Sequence, residues 1–160
     1  KDDEDTVHLI NEYTSIVRDL DSHIVVRQFT SESSDRDAML KDFANGSIDV
    51  LTSMKCLDEG VDVPRSELAI FCASTGNPRQ FIQRRGRVLR THKEKRFAVI
   101  HDLVVIPDNN FDPSCQEIEK NLVSYEIRRV RDFAILSENC NDTLNVLDNI
   151  LEQYQISLYN

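Results

Sequence analysis

The sequence has no tryptophan, only four glycines, four prolines and four cysteines among its 160 residues, and no internal repeat or low-complexity segment. The cysteines, Cys56, Cys72, Cys115 and Cys140, lie far apart with no C-x-x-C pair. That spacing argues against a zinc knuckle or a disulfide framework and reads as reduced thiols of a cytoplasmic protein, mostly in the core. No stretch approaches the roughly 18 consecutive apolar residues of a membrane span, and Lys1 to Asp5 is charged where a signal peptide needs apolar residues. Neither membrane insertion nor secretion is expected. Asn45-Gly46-Ser47 and Asn141-Asp142-Thr143 then read as turn residues and not as glycosylation sites.

Several catalytic signatures are also absent. None of the four glycines, Gly46, Gly60, Gly76 and Gly86, is followed by lysine, so there is no phosphate-binding P-loop. There is no G-x-S-x-G elbow, and His8, His23, His92 and His101 have no H-E-x-x-H or C-x-x-C companions. No metal site is expected.

What is present is an uneven charge. Acidic residues outnumber basic ones 28 to 19, a net charge of -9. Yet Arg79 to Arg96 holds eight basic residues and one acid, Glu94, which leaves 11 basic and 27 acidic residues elsewhere. An arginine-dominated cluster in an acidic chain points to a localised anion site, since phosphate responds to the local field and not to the total.

The pattern of apolar residues predicts alternating helices and strands. Ile10, Tyr13, Val17 and Leu20 recur at helical spacing. Ile24 to Phe29 reads as a strand. Ser34 with Asp37 resembles a capping box, Leu40 and Phe43 give the next helix its apolar face, and Asn45-Gly46 stops it. Ile48 to Thr52 is a second strand. Leu68 to Ala73 is a nearly continuous apolar run, as for a strand buried on both faces. Asn77-Pro78 starts a helix running to about Arg90, and Phe97 to Ile106 is the last strand. This order predicts an α/β fold with a mostly parallel sheet flanked by helices, its ligands at the carboxyl ends of the strands. Beyond Pro107 two stripes follow, Val123, Ile127, Val130, Ala134 and then Leu144, Leu147, Leu151, Tyr154, which predict a C-terminal helical hairpin. The expected division is residues 1–107 and 108–160.

Two segments carry the chemistry. Gln80 to Arg90 reads QFIQRRGRVLR; on a helix, Gln83, Arg84, Arg87 and Arg90 fall toward one edge, Gly86 removes a side chain where something approaches closely, and Phe81, Ile82 and Leu89 are left for the core. Planar, permanently charged arginine suits phosphoryl oxygens. Upstream, Thr52-Ser53 ends a strand with two hydroxyls. In Asp58-Glu59-Gly60-Val61-Asp62-Val63-Pro64, Gly60 lets the backbone lie against a phosphate and Asp62 can accept hydrogen bonds from a ribose hydroxyl.

The order TSMKCLDEGVDVP, a strand, then QFIQRRGRVLR resembles the fifth and sixth conserved motifs in the second RecA-like domain of superfamily 2 helicases and translocases. The resemblance spans about Ile24 to Ile106. Gln83 and Leu89, where RNA helicases of the DEAD-box type usually have His and Gly, resemble the DNA-repair and restriction-associated branch, as does the helical tail with Glu126, Arg128-Arg129, Phe133-Ala134 and Asn139. The resemblance implies Arg87 and Arg90 as arginine fingers to the γ-phosphate of ATP, with Gln83 and Arg84 helping to position it. It implies Gly60 and Asp62 at the nucleotide, and Thr30, Thr52, Ser53 and Lys55 at the nucleic-acid backbone. Ser31 reads first as a turn residue.

The same resemblance implies partners. ATP with Mg would be shared with an N-terminal RecA-like domain of the same parent chain, which carries the P-loop and the Mg ligands; Asp2-Asp3-Glu4-Asp5 and Asp58-Glu59 do not replace them. The strand bearing the family's fourth motif is not in the sequence, so the chain reads as a fragment of a longer helicase, inactive as an ATPase alone and acting on DNA within its parent. The alternatives are an RNA helicase domain, a degenerate RecA-like protein-interaction module, and a stand-alone flavodoxin-like anion binder.

Overall fold

A computed structural model describes residues 2–54, 63, 65–72, 78–107 and 115–157, with the side chains of residues 2–6, 78–81 and 84 outside the description. The chain forms two compact units, Lys1–Asp102 and Leu103–Asn160.

The first unit contains α1 (Asp2–Leu20), β1 (Val26–Phe29), α2 (Arg36–Asn45), β2 (Val50–Ser53), β3 (Leu68–Phe71), α3 (Pro78–Val88) and β4 (Val99–Asp102). β1 pairs in parallel with β2, Val26 opposite Val50, and β3 pairs in parallel with β4, Leu68 opposite Val99. Parallel partners need a crossover, and α2 and α3 supply it, which makes two βαβ units. Among the described residues the strands form two two-stranded sheets, with no ladder joining them into one. The core of the first pair is built on Val26 and Phe29, both almost fully buried, with Val63, Met39, Leu40, Phe43 and Leu51 packed against Phe29 or Val63.

Local chemistry explains the boundaries. α2 is capped by Asp35, whose carboxylate accepts the Ala38 N–H at 3.2 Å, and not by Ser34. Asp at the N-cap satisfies a backbone donor at the start of the helix, so Asp35 takes the position one residue later than the capping-box pattern suggested. Gly46 ends α2 at φ 84°, a left-handed conformation that favours glycine.

Two expectations are corrected by burial. Leu20 is 78% exposed, whereas Thr14 is buried at the centre of the face that α1 turns to the strands. Thr14 is tolerated there because its hydroxyl is satisfied: Oγ1 donates to the Ile10 carbonyl at 2.6 Å and lies 2.7 Å from Thr52 Oγ1 on β2. Gln28 Nε2 donates to Thr14 Oγ1 at 3.2 Å and to Asn11 Oδ1 at 2.8 Å, so the seam between α1 and the first pair is polar. β3, in turn, is not buried on both faces: Leu68 and Ile70 are 53% and 58% exposed. Its only hydrogen-bonded partner strand among the described residues is β4, where Val99 is also exposed, so one face of this pair stays open to solvent.

The second unit is the helical hairpin α4 (Gln116–Ala134) and α5 (Cys140–Tyr154). Val123, Ile127, Val130 and Ala134 are all buried, as their spacing predicts. Leu147 and Tyr154 join the core, with Leu144 and Leu151 partly buried beside Val104 and Ile106. The Tyr154 hydroxyl donates to the Pro107 carbonyl at 3.0 Å, fastening the end of α5 to the segment that leads into the hairpin. Glu126 and Arg129, one turn apart on α4, form a largely buried ion pair at 2.7 Å.

The polar seam is open to test. Thr14→Val keeps the shape but leaves Thr52 and Gln28 short of a partner, so it should destabilise the chain by about 1–3 kcal/mol in urea unfolding. Ser15→Ala, at an exposed position, should change stability by less than about 0.5 kcal/mol. Equal effects from the two substitutions would contradict the seam.

Candidate functional site

α3 begins at Pro78, where the missing N–H is harmless, and carries Arg79, Arg84, Arg85 and Arg87 with no acidic residue. Its last residue, Val88, is buried, while Ile82 and Leu89 are exposed. The buried stripe therefore runs through Val88 and half-buried Arg85, not through Ile82 and Leu89 as the sequence suggested. Ile82 lies six residues before Val88, about 240° of helical winding at roughly 3.6 residues per turn, and so faces another side.

Gln83 is exposed on α3, and Arg87 is half-buried one residue before the helix end. Arg90 stands two residues beyond Val88, exposed, just after the Leu89 N–H closes a last helical bond to the Arg85 carbonyl at 3.0 Å. Burial holds the Arg85 guanidinium below its usual pKa, because the surroundings penalise the charge. Basic residues in the last turn suit the negative end of the helix dipole, which favours Arg85 and Arg87 there by roughly 0.3–1 kcal/mol each. A Cβ at Gly86 would meet nothing within 4 Å. None of the neighbouring described elements crowds that position.

The hydroxyls assigned to nucleic acid lie at the carboxyl ends of β1 and β2. Thr30 follows β1 directly; its N–H donates to Ser33 Oγ at 3.1 Å, and its own hydroxyl lies 3.2 Å from the same atom. Ser33 Oγ donates in turn to the Gln28 carbonyl at 3.4 Å, and Ser31 is exposed in the turn. Thr52 shares its hydroxyl with Thr14, while Ser53 Oγ is buried with no hydrogen-bond partner among the described residues. Lys55, Gly60 and Asp62 lie outside the described residues, as do the acids Asp58 and Glu59. So does the side chain of Arg84. Among the described residues no group of three or more His, Cys, Asp or Glu side chains is arranged to hold a metal ion, and no helix is long and apolar enough to cross a membrane. Cys72, Cys115 and Cys140 are half-buried and form no disulfide among the described residues.

Two features near the site were not visible in the sequence. Tyr13 of α1 lies near enough to Cys72, the residue after β3, for the thiol to raise its pKa, while its neighbour Thr14 is hydrogen-bonded to Thr52 at the end of β2. Lys95 Nζ donates to the Val88 carbonyl at 2.7 Å and to the Ser66 carbonyl at 3.2 Å. A lysine near a helix C-terminus is a known capping signal, but only the three-dimensional turn brings Lys95 back to α3.

The arrangement is one of a basic helix following a βαβ crossover, with loop hydroxyls at the carboxyl ends of the strands. Residues 4–92 match the family described as the helicase conserved C-terminal domain, more than half of the chain. The chain belongs to that family: it is the second RecA-like domain of the superfamily 2 helicases. It is 37% identical over 81 residues to the DNA 3'-5' translocase XPB2 of Sulfurisphaera tokodaii, covering 51% of this chain and 18% of that protein. It is 33% identical over 70 residues to the putative ATP-dependent helicase IRC3 of Saccharomyces cerevisiae, covering 44% of this chain and 10% of that protein. The chain thus spans less than a fifth of these relatives. Among solved structures, domain 2 of the DEAD-box helicase Mss116p, bound there to an RNA duplex, superposes with a TM-score of 0.51 at 15% identity, covering 96% of this chain and 65% of that one. That likeness supports the RecA-like fold.

Tyr13 offers a check on how α1 is seated. Burial first, then the Cys72 thiol, raises its pKa above the ordinary 10.0, so the folded state favours the neutral phenol. The associated stability holds at neutral pH and is lost as pH rises through the folded-state pKa. An ultraviolet titration should show a late-ionising tyrosine that Tyr13→Phe deletes. If the component removed by the substitution ionises at the ordinary tyrosine value, α1 does not sit against Cys72.

Proposed function

We propose that this domain serves an ATP-dependent helicase or translocase acting on DNA, and that Arg87 and Arg90 are its arginine fingers. The observation that carries the reading is α3, an acid-free arginine helix whose end is held by buried Val88, so that the two arginines flank a fixed point. DNA is favoured by the likeness to XPB2, named as a DNA translocase.

In this reading residues 1–107 form the second RecA-like domain and 108–160 a helical extension. ATP is bound between this domain and an N-terminal RecA-like domain of the parent chain, which supplies the P-loop and the Mg ligands. Bound ATP supplies the phosphoanhydride bond that water cleaves. Arg87 and Arg90 stabilise the negative charge spread over the transferring phosphoryl oxygens, which fingers in related phosphate chemistry do by roughly 10³ to 10⁵ in rate. Exposed Gln83, together with Arg84, orients the phosphate, Gly60 lies against the nucleotide, and Asp62 accepts from the ribose. The domain alone binds nucleotide weakly and turns over none.

Thr30, Thr52, Ser53 and Lys55 grip the nucleic-acid backbone, a contact that positions without reading sequence. The orphan Ser53 hydroxyl supports this, since a buried hydroxyl without a partner costs free energy until something bonds to it. Thr52, tied to Thr14, relays the contact to α1.

Nucleic-acid-stimulated ATPase of the parent protein tests the reading. Arg87→Ala should lower kcat by about 100-fold or more with KM for ATP changed far less, the pattern of an interaction made in the transition state. Unchanged turnover in a folded variant would overturn the finger role. In the same assay single-stranded or duplex DNA should stimulate more than RNA, and the reverse order would assign the domain to an RNA helicase.

A further inference from the structure

A short polar contact at the end of the arginine helix comes from a residue outside it. His92 and Lys95 face each other in an antiparallel bridge, with Lys95 N–H donating to the His92 carbonyl at 3.0 Å and Glu94 N–H to His92 Nδ1 at 3.3 Å. This turn sends the Lys95 side chain back along the chain it has just left. Its ammonium donates at 2.7 Å to the carbonyl of Val88, the last residue of α3, and at 3.2 Å to the carbonyl of Ser66.

Both acceptors are fixed points. Val88 is 6% exposed and Ser66 8%. Ser66 closes a turn with its N–H on the Val63 carbonyl at 3.0 Å, and its hydroxyl donates to the Leu68 carbonyl at 3.2 Å, where β3 begins. Val63 is buried against the core of the first strand pair and directly follows Asp62 in sequence. One ammonium thus joins the end of the arginine helix to the exit of the Gly60–Asp62 segment. A helix end leaves its last carbonyls without intrahelical donors and frays unless something holds it. A lysine supplies both hydrogen bonds and a charge that suits the helix dipole.

We propose that Lys95 is a positioning residue for phosphoryl transfer: by holding the Val88 carbonyl it fixes where Arg87 and Arg90 stand relative to the buried turn at Ser66 that leads into β3. This rests on the finger role of the two arginines. The cation touches neither nucleotide nor nucleic acid. It acts through the helix end, where a displacement on the order of 1 Å is enough to cost about 100-fold in rate.

The test uses the parent protein carrying Lys95→Met, Lys95→Arg, Arg87→Ala and the Lys95→Met/Arg87→Ala pair, with thermal unfolding of each. Lys95→Met should lower the stimulated kcat about tenfold while KM for ATP stays within about twofold. Lys95→Arg, whose guanidinium can donate to both carbonyls, should restore most of the rate. The double variant should turn over no more slowly than Arg87→Ala alone, because the lysine works through the arginine. Full turnover by Lys95→Met beside an impaired Arg87→Ala would overturn the inference and leave the finger role standing. So would a loss that merely tracks the unfolded fraction, or a double variant slower by the product of the two single effects. Full turnover by Arg87→Ala would remove both.

Discussion

The first unit depends on how α1 crosses the strands. Its four strands form two parallel pairs with no hydrogen-bonded ladder joining them among the described residues. Parallel strands normally gain stability from a sheet covered on both faces, and a lone two-stranded pair is marginal. α1 lies along both: Thr14 is hydrogen-bonded to Thr52 at the end of β2, and its neighbour Tyr13 lies near enough to Cys72, just after β3, for the thiol to raise its pKa. The Thr14–Thr52 bond is directional and fixes register where an apolar seam would tolerate sliding. The strand ends that α1 meets are those after which the candidate ligand-binding loops begin.

Charge does for the site what α1 does for the sheet. In a chain with a net charge of -9, one short helix gathers arginines without a balancing acid. Such a concentration of guanidinium groups favours an anion, and phosphate is the one the proposed reading places there. The helix needs a fixed end for this chemistry, and buried Val88 with the Lys95 ammonium on its carbonyl provides one.

How much of this was legible in the sequence depended on whether the determining contact was local. Pro78, Gly46 and the stripe from Val123 to Ala134 each announce themselves within a few residues, and α3, the end of α2 and the core of α4 follow them. The paired motifs around Asp62 and Arg87 were legible for the same reason. Thr14 was not, because its burial depends on a partner 38 residues away, and a helical stripe of apolar residues drew attention to Leu20 instead. The run from Leu68 to Ala73 looked buried on both faces because apolar residues say nothing of how many neighbours a strand has; one face of β3 is open. Lys95 read as one more member of a charge cluster, since only the turn at His92 brings its ammonium back to the Val88 carbonyl.

The central claim is that Arg87 and Arg90 meet the terminal phosphate of ATP. The most direct measurement is a structure of the parent protein on DNA with an ATP analogue whose γ-phosphate is replaced by beryllium fluoride. The account expects guanidinium nitrogens of both arginines at hydrogen-bond distance, about 2.7–3.2 Å, from the fluoride positions, with Lys95 still on the Val88 carbonyl. A closed complex in which both guanidinium groups face solvent or the nucleic acid, leaving the fluorides to other side chains, would contradict it.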